Sequence, residues 1–265
     1  MQGFYYFKLL LLLSLSVLAS ACGSGGSDNS PKTTSPIKTA SIKQNIRVFD
    51  FVYGGSDYST VHFAAYSNSE NKHMLTPDFW LFGSSSSSQY HYEFKPAVSK
   101  QVTVELIDRN TQVVHQQVKI PANETQAYWV FAFGNTLNSD YTLYSVPRPK
   151  LSKTKDTVPL YLIDALTPDF HSQSDIYLNG KRVVSDLNST VLSKPLILST
   201  QQSLINIEVQ RQGKVIHRCS DIQPSPNSLA EYEQQQWHET PWILVFAPDQ
   251  RCYLYPVDLQ QQLNN

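Results

Sequence analysis

The chain has 265 residues, 21 Lys+Arg against 22 Asp+Glu and a net charge of −1, so it lacks the electrostatic basis for binding nucleic acid. Its 15 Tyr, 12 Phe and 4 Trp against 10 Gly exclude a disordered composition and predict a folded, aromatic-rich body.

The amino terminus reads as an export signal. Lys8 gives the positive flank and Leu9 to Leu18 an apolar stretch of ten residues, too short to span a bilayer core of about 20 helical residues. Two readings of the cleavage site compete. Ala19-Ser20-Ala21 suits ordinary signal peptidase, while Leu18-Ala19-Ser20-Ala21-Cys22 resembles a bacterial lipobox with Ala19 where Leu is more usual. The polar run Gly23 to Ser30 is a flexible tether of the kind that holds a domain off a membrane. Lipidation at Cys22 is therefore expected. Resemblance to Gram-negative lipoproteins implies outer-membrane sorting, because Gly23 rather than Asp follows the cysteine. Only Lys8 among charged residues falls in the signal, leaving 20 cations against 22 anions in the mature chain.

From Ile46 onward the apolar residues recur with a period of two. Val102–Ile107, Leu204–Val209 and Ile243–Phe246 are rich in β-branched residues and bounded by turn residues such as Asp108-Arg109-Asn110 and Gln212-Gly213. Four segments recur in the same order. Val102–Leu106 matches Ile205–Val209, and Val113–Gln116 matches Val215–Arg218. Tyr128–Phe133 matches Pro241–Phe246, with Trp129 against Trp242, and Tyr141–Val146 matches Cys252–Val257. Earlier in each repeat, Asp50 aligns with Asp164 and Asp78–Gly83 with Asp175–Gly180. The pentapeptides Leu75–Phe79 and Leu166–Phe170 are identical but stand in a different register. Repeat one then carries an insertion at about Tyr53 to Lys72, and repeat two one at about Pro224 to Gln236.

The predicted organisation is a signal at 1–21, a tether at 22–42, a β-sandwich at 43–149, a linker at 150–155, a second β-sandwich at 156–259 and a tail at 260–265. The fold class is all-β: two tandem immunoglobulin-like sandwiches of some seven strands each. The one helix candidate is Asn227 to Trp237, with Asn227 or Ser228 as cap. Leu160–Asp169 followed by Ser174–Gly180 resembles the opening of the domain-of-unknown-function 4397 family: an apolar strand, a Pro-Asp turn, then an Asp-apolar-Tyr-apolar-x-Gly strand. Members of that family are bacterial exported or lipid-anchored proteins with tandem sandwich repeats. The resemblance implies fold and compartment and carries over no catalytic residue.

Cys219 and Cys252 are the other two cysteines. An even pair in an exported domain predicts a disulfide, against the alternatives of a nucleophile or a metal ligand. No G-x-S-x-G or H-E-x-x-H occurs, and the seven histidines show no ligand spacing. Ser84 to Ser88 reads as a flexible hairpin loop. Asp50 and Asp164 read as turn caps at strand ends. The sequence offers no cofactor motif, and no cofactor or metal is expected. Tyr90, Tyr92 and Phe94 alternate along one strand face, and Tyr58, Tyr90, Tyr92 and Trp237 form the candidate binding surface. The expected function is that of a lipid-anchored, non-enzymatic binding or adaptor module of the cell envelope, attached to the outer membrane. Its expected partners are the membrane, through the anchor, and an envelope protein or a glycan. A carbohydrate-binding module and an exported enzyme with an unrecognised site are the alternatives.

Overall fold

Strands that are apolar on both faces set this architecture. The computed structural model describes residues 41–68, 71–86, 91–94, 100–149, 156–166, 172–199, 205–222 and 241–256. The signal, Cys22, the linker and the helix candidate lie outside them. Among the described residues no helix is long and apolar enough to cross a membrane.

The first repeat contains β1 (Ile42–Tyr53), β2 (Val61–Tyr66), β3 (His73–Met74), β4 (His91–Phe94), β5 (Gln101–Asp108), β6 (Val114–Pro121), β7 (Tyr128–Asn135) and β8 (Asp140–Pro147). The second contains β9 (Thr157–Asp164), β10 (Gln173–Leu178), β11 (Lys181–Asn188), β12 (Leu196–Ser199), β13 (Ile205–Arg211), β14 (Lys214–Ile222), β15 (Trp242–Phe246) and β16 (Cys252–Pro256). The sheets run β4-β1-β7-β8 and β3-β2-β5-β6 in the first repeat, β12-β9-β15-β16 and β11-β10-β13-β14 in the second. The order is the same in both once eight is subtracted. In each repeat the first strand runs parallel to the seventh, and a bulge interrupts the hairpin of the fifth and sixth. The all-β tandem sandwich is thus present, and the described residues hold eight strands per repeat where some seven are expected.

Ile46, Val48, Phe63, Val104 and Val130 belong to the core between the two sheets of the first sandwich. Leu160, Ile176, Ile207, Leu244 and Phe246 do the same in the second. A third core joins the sandwiches. Phe49, Phe51, Trp129, Phe131 and Phe133 pack against Tyr161, Ile163, Ile243 and Val245. The body is therefore four sheets deep, and Thr39–Asn265 form one compact unit. This explains why Tyr128–Phe133 and Trp242–Phe246 are apolar without alternation: a strand covered on both faces has no polar side to show.

Four sequence alignments are corrected. Two of them follow from ladder partners alone: Gln116, not His115, is the counterpart of His217, and Leu143, not Tyr141, is the counterpart of Cys252. Phe63 of β2 lies opposite Leu106, as Ile176 of β10 lies opposite Val209. The second strand of repeat one is therefore Val61–Tyr66, inside the stretch read as an insertion, and Asp78–Gly83 is not its counterpart. Asp78–Gly83 holds no ladder strand and makes one isolated bridge, Leu81 to Tyr58. The pairings Asp50 with Ala132 and Asp164 with Phe246 keep the two aspartates equivalent. They also place Tyr128, not Trp129, opposite the role of Trp242. A slip of one residue exchanges the two faces of a strand. Trp129 thus enters the third core while Trp242 enters the second sandwich.

Candidate functional site

Among the described residues, the repeats differ in the connection between the third and fourth strands, which is longer in the first sandwich. In the first sandwich residues 75–86 are the described part of this interval, and backbone hydrogen bonds fix their path. Leu75 N–H donates to Phe63 C=O, and Ser59 N–H donates to Trp80 C=O. Phe82 N–H donates to Asp57 C=O, and Gly83 N–H donates to Asp50 C=O. The segment follows β2, crosses the β1–β2 connection and ends alongside β1. The expected flexible serine loop is in part a bonded edge: Val48 N–H donates to Ser86 Oγ at 2.9 Å, and Arg47 Nη2 donates to Ser85 Oγ at 2.9 Å.

The second sandwich clamps the end of this segment. Arg47 Nη1 donates to Pro256 C=O at 2.7 Å, and the Tyr255 hydroxyl donates to Gly83 C=O. Gly83 has φ +71° and lies against the Tyr253 ring, where a Cβ would come within 2.3 Å of a ring carbon. Glycine is required there for both reasons.

The segment divides its apolar residues between two sides. Phe82 is buried at the third core. Phe79 is 70% exposed, Leu81 is exposed, and Tyr58 is 54% exposed with its ring 5.1 Å from that of Phe79. This places three large apolar side chains on one stretch of surface, where a solvated loop gains nothing from them. The same segment walls a cavity of about 510 Å³ that opens between the edge strands β3 and β4, lined by Met74, Thr76, Pro77, Trp80, Ser85 and Tyr92. Aromatic faces with hydroxyl groups at the margin suit stacking and hydrogen bonding of a ligand.

The corner behind this surface is poorly paired. Among the described residues, Asp50 Oδ2, Thr60 Oγ1, His62 Nδ1, Trp80 Nε1 and Arg109 Nε are buried without a hydrogen-bond partner. Each such group costs about 1–3 kcal/mol. Burial pushes the Asp50 carboxyl up to about 7, offset in part by the Ser59 hydroxyl, the Val52 N–H and the charge of Arg109. Burial, then the Arg109 charge, lowers the His62 imidazole. The equivalent corner of the second sandwich is closed. Asp164 accepts from Arg211 Nη2 at 2.8 Å, from Ser174 Oγ at 2.6 Å and from Leu166 N–H at 3.0 Å. Both aspartates do cap the turn two residues on, Asp50 through Val52 N–H at 3.0 Å.

Of the residues singled out in the sequence, Tyr58 belongs to the exposed patch. Tyr92 is half-buried and packs on the first core beside His73 and Phe94. It reaches a ligand only through the cavity wall, because the strand face it shares with Phe94 is the inward one. Tyr90, Trp237 and Cys22 lie outside the described residues. In sequence, Phe79 and Leu81 alternate with Trp80 and Phe82 as a strand covered on both faces, because four consecutive apolar letters look buried; the structure leaves Phe79 and Leu81 exposed. Cys219 and Cys252 are joined by a disulfide with Cα atoms 6.1 Å apart, tying β14 to β16 and so one sheet of the second sandwich to the other.

The chain matches no family model and no curated protein. Among solved structures it is similar to one described as "Alpha-glucan binding by a streptococcal virulence factor". The identity is 8% and the TM-score 0.23, over 78% of this chain and 95% of that one. Identity and score this low transfer neither fold nor ligand.

Proposed function

We propose that this protein is a lipid-anchored binding module of the cell envelope that docks its partner with residues 75–86 and does no chemistry on it. The observation that carries the reading is the exposed group Tyr58, Phe79 and Leu81, on the segment whose Thr76, Pro77 and Trp80 wall the cavity, and placed where the repeats differ. Duplicated scaffolds acquire function in the connections that diverge. Asp50 and His62 of this corner are buried, and the open surface offers apolar, aromatic and hydroxyl contacts beside the exposed carboxylates of Asp57 and Asp78.

The test is in-cell photo-crosslinking from position 81, comparing the native chain with Phe79→Ser. The serine variant is expected to lose the specific adduct while keeping its fold, since Phe79 is exposed. An unchanged adduct moves the partner site elsewhere. A second reading, a glycan ligand, is favoured by Trp80 and Tyr92 in the cavity wall. Saturable binding on a glycan array, lost in Trp80→Ala and retained in Phe79→Ser, would select it over a protein partner.

Anchoring rests on Cys22 and the tether behind it. Labelled palmitate should enter the native chain and not Cys22→Ser, which should appear in the soluble periplasmic fraction. Label retained in the serine variant would remove the anchor from this proposal.

A further inference from the structure

The disulfide of the second sandwich has an imidazole beside it. His217 Nε2 lies 3.1 Å from Cys252 Sγ and 3.6 Å from Cys219 Sγ. The three candidate ligand atoms all fall within 4.8 Å of one another. His217 and Cys219 are buried, and Cys252 is half-buried. On its other side, His217 Nδ1 is 3.3 Å from Gln250 Oε1. With Nδ1–H donating to that amide oxygen, the Nε2 lone pair points toward the sulfurs. A partner on the far ring nitrogen that fixes tautomer and orientation is the arrangement metal-ligating histidines have. The Phe246 ring packs on the imidazole at 6.0 Å and restricts it further.

We propose that reduction of this disulfide converts it into a Zn²⁺ site made of Cys219, Cys252 and His217. The reductant is a dithiol. Its thiolate attacks Sγ of Cys252, the more accessible sulfur, and the Cys219 thiolate leaves. The second thiol of the reductant then displaces Cys252 and closes a disulfide in the reductant. Two electrons pass to the protein, and the dithiol's two protons leave the protein with two thiols. Zn²⁺ then replaces those two protons, which go to solvent, and binds two thiolates and the neutral Nε2. Sulfur and imidazole ligands suit this ion, and water takes the fourth position from the Cys252 side. The metal ties β14 to β16 as the disulfide did, so one sheet-to-sheet cross-link replaces another. This proposal is independent of the partner-binding surface on the first sandwich.

The experiment uses the whole exported protein in a Cys22→Ser background, so that Cys219 and Cys252 are the only cysteines. It is reduced anaerobically with a phosphine, dialysed against Zn²⁺, and examined with Co²⁺ as a spectroscopic probe. One equivalent of Zn²⁺ is expected in the reduced form and none in the oxidised form, with thiolate-to-cobalt charge-transfer bands. Gln250→Ala should weaken binding roughly 10–100-fold through loss of the outer partner. His217→Ala should weaken it more, and His217→Gln serves as the variant of closer size. Absence of uptake by the reduced protein overturns the site, as does unchanged affinity in both His217 variants. Reduction that abolishes the near-ultraviolet circular dichroism, with no recovery on adding Zn²⁺, overturns it as well.

Discussion

Phe131→Ala should lower the unfolding free energy by about 3–5 kcal/mol, the range for emptying a buried aromatic site. Phe131 is fully buried in the core between the sandwiches, not within either one. Its ring stacks on Phe49 at 4.5 Å and on Phe133 at 6.1 Å, and meets Trp129 edge-on at 6.4 Å. Each such ring pair adds about 0.5–1.5 kcal/mol to area burial. The site has little means of collapsing, because its walls are ladder-bonded strands on both sides. The more informative result concerns cooperativity. If the third core couples the sandwiches, urea unfolding of the native chain is a single transition, coincident by tryptophan fluorescence and far-ultraviolet circular dichroism. Phe131→Ala should separate the two probes. Two transitions in the native chain, or a coincident loss below about 1 kcal/mol in the variant, would mean the sandwiches are stable independently.

The strand repeat was legible because alternation and turn residues are local signals. Val102–Leu106 and Ile205–Val209 occupy equivalent central strands, and Asp50 and Asp164 hold equivalent ends. What failed was parity. Trp129 and Trp242 look alike as letters, yet strands apolar on both faces carry no alternation from which to read which side faces which core. The same loss of alternation was the available sign of a third core, since Tyr128–Phe133 is too apolar for a strand with a solvated face. The docking surface was half legible. Tyr58 is legible by its type, but Phe79 and Leu81 read as a strand, and the bonds from Ser59 N–H to the Trp80 carbonyl and from Phe82 N–H to the Asp57 carbonyl place them in a connection. The His217 contact with the cysteines depends on a hairpin bulge and a turn 33 residues further on, which spacing alone does not reveal.

Asp50→Asn should stabilise the protein at pH 8 and leave it unchanged near pH 3. The carboxyl is fully buried, and its Oδ2 has no partner among the described residues. Burial raises it from the ordinary 3.8 to about 7. The folded chain therefore holds this proton more tightly than the unfolded chain. Below pH 3.8 both states are protonated and the group costs nothing. Between 3.8 and about 7 the unfolded chain gives up the proton first, so stability falls as pH rises, and above 7 the loss is complete. At 1.36 kcal/mol per unit the full loss is about 4 kcal/mol. Asparagine keeps an oxygen for Val52 N–H and cannot ionise. The difference in unfolding free energy between variant and native chain should thus climb across that window and level off above it. The other acids of the chain cancel in the difference. Asp164→Asn supplies the opposite sign. There the carboxylate is bonded to Arg211 and Ser174, and neutralising it removes one partner of a largely buried ion pair, at a cost of about 3–5 kcal/mol. A pH-independent difference for Asp50→Asn would show that burial does not govern this carboxyl. The open corner of the first sandwich would then be as well satisfied as the closed corner of the second, and its loose polar groups would no longer mark the place where the two repeats diverged.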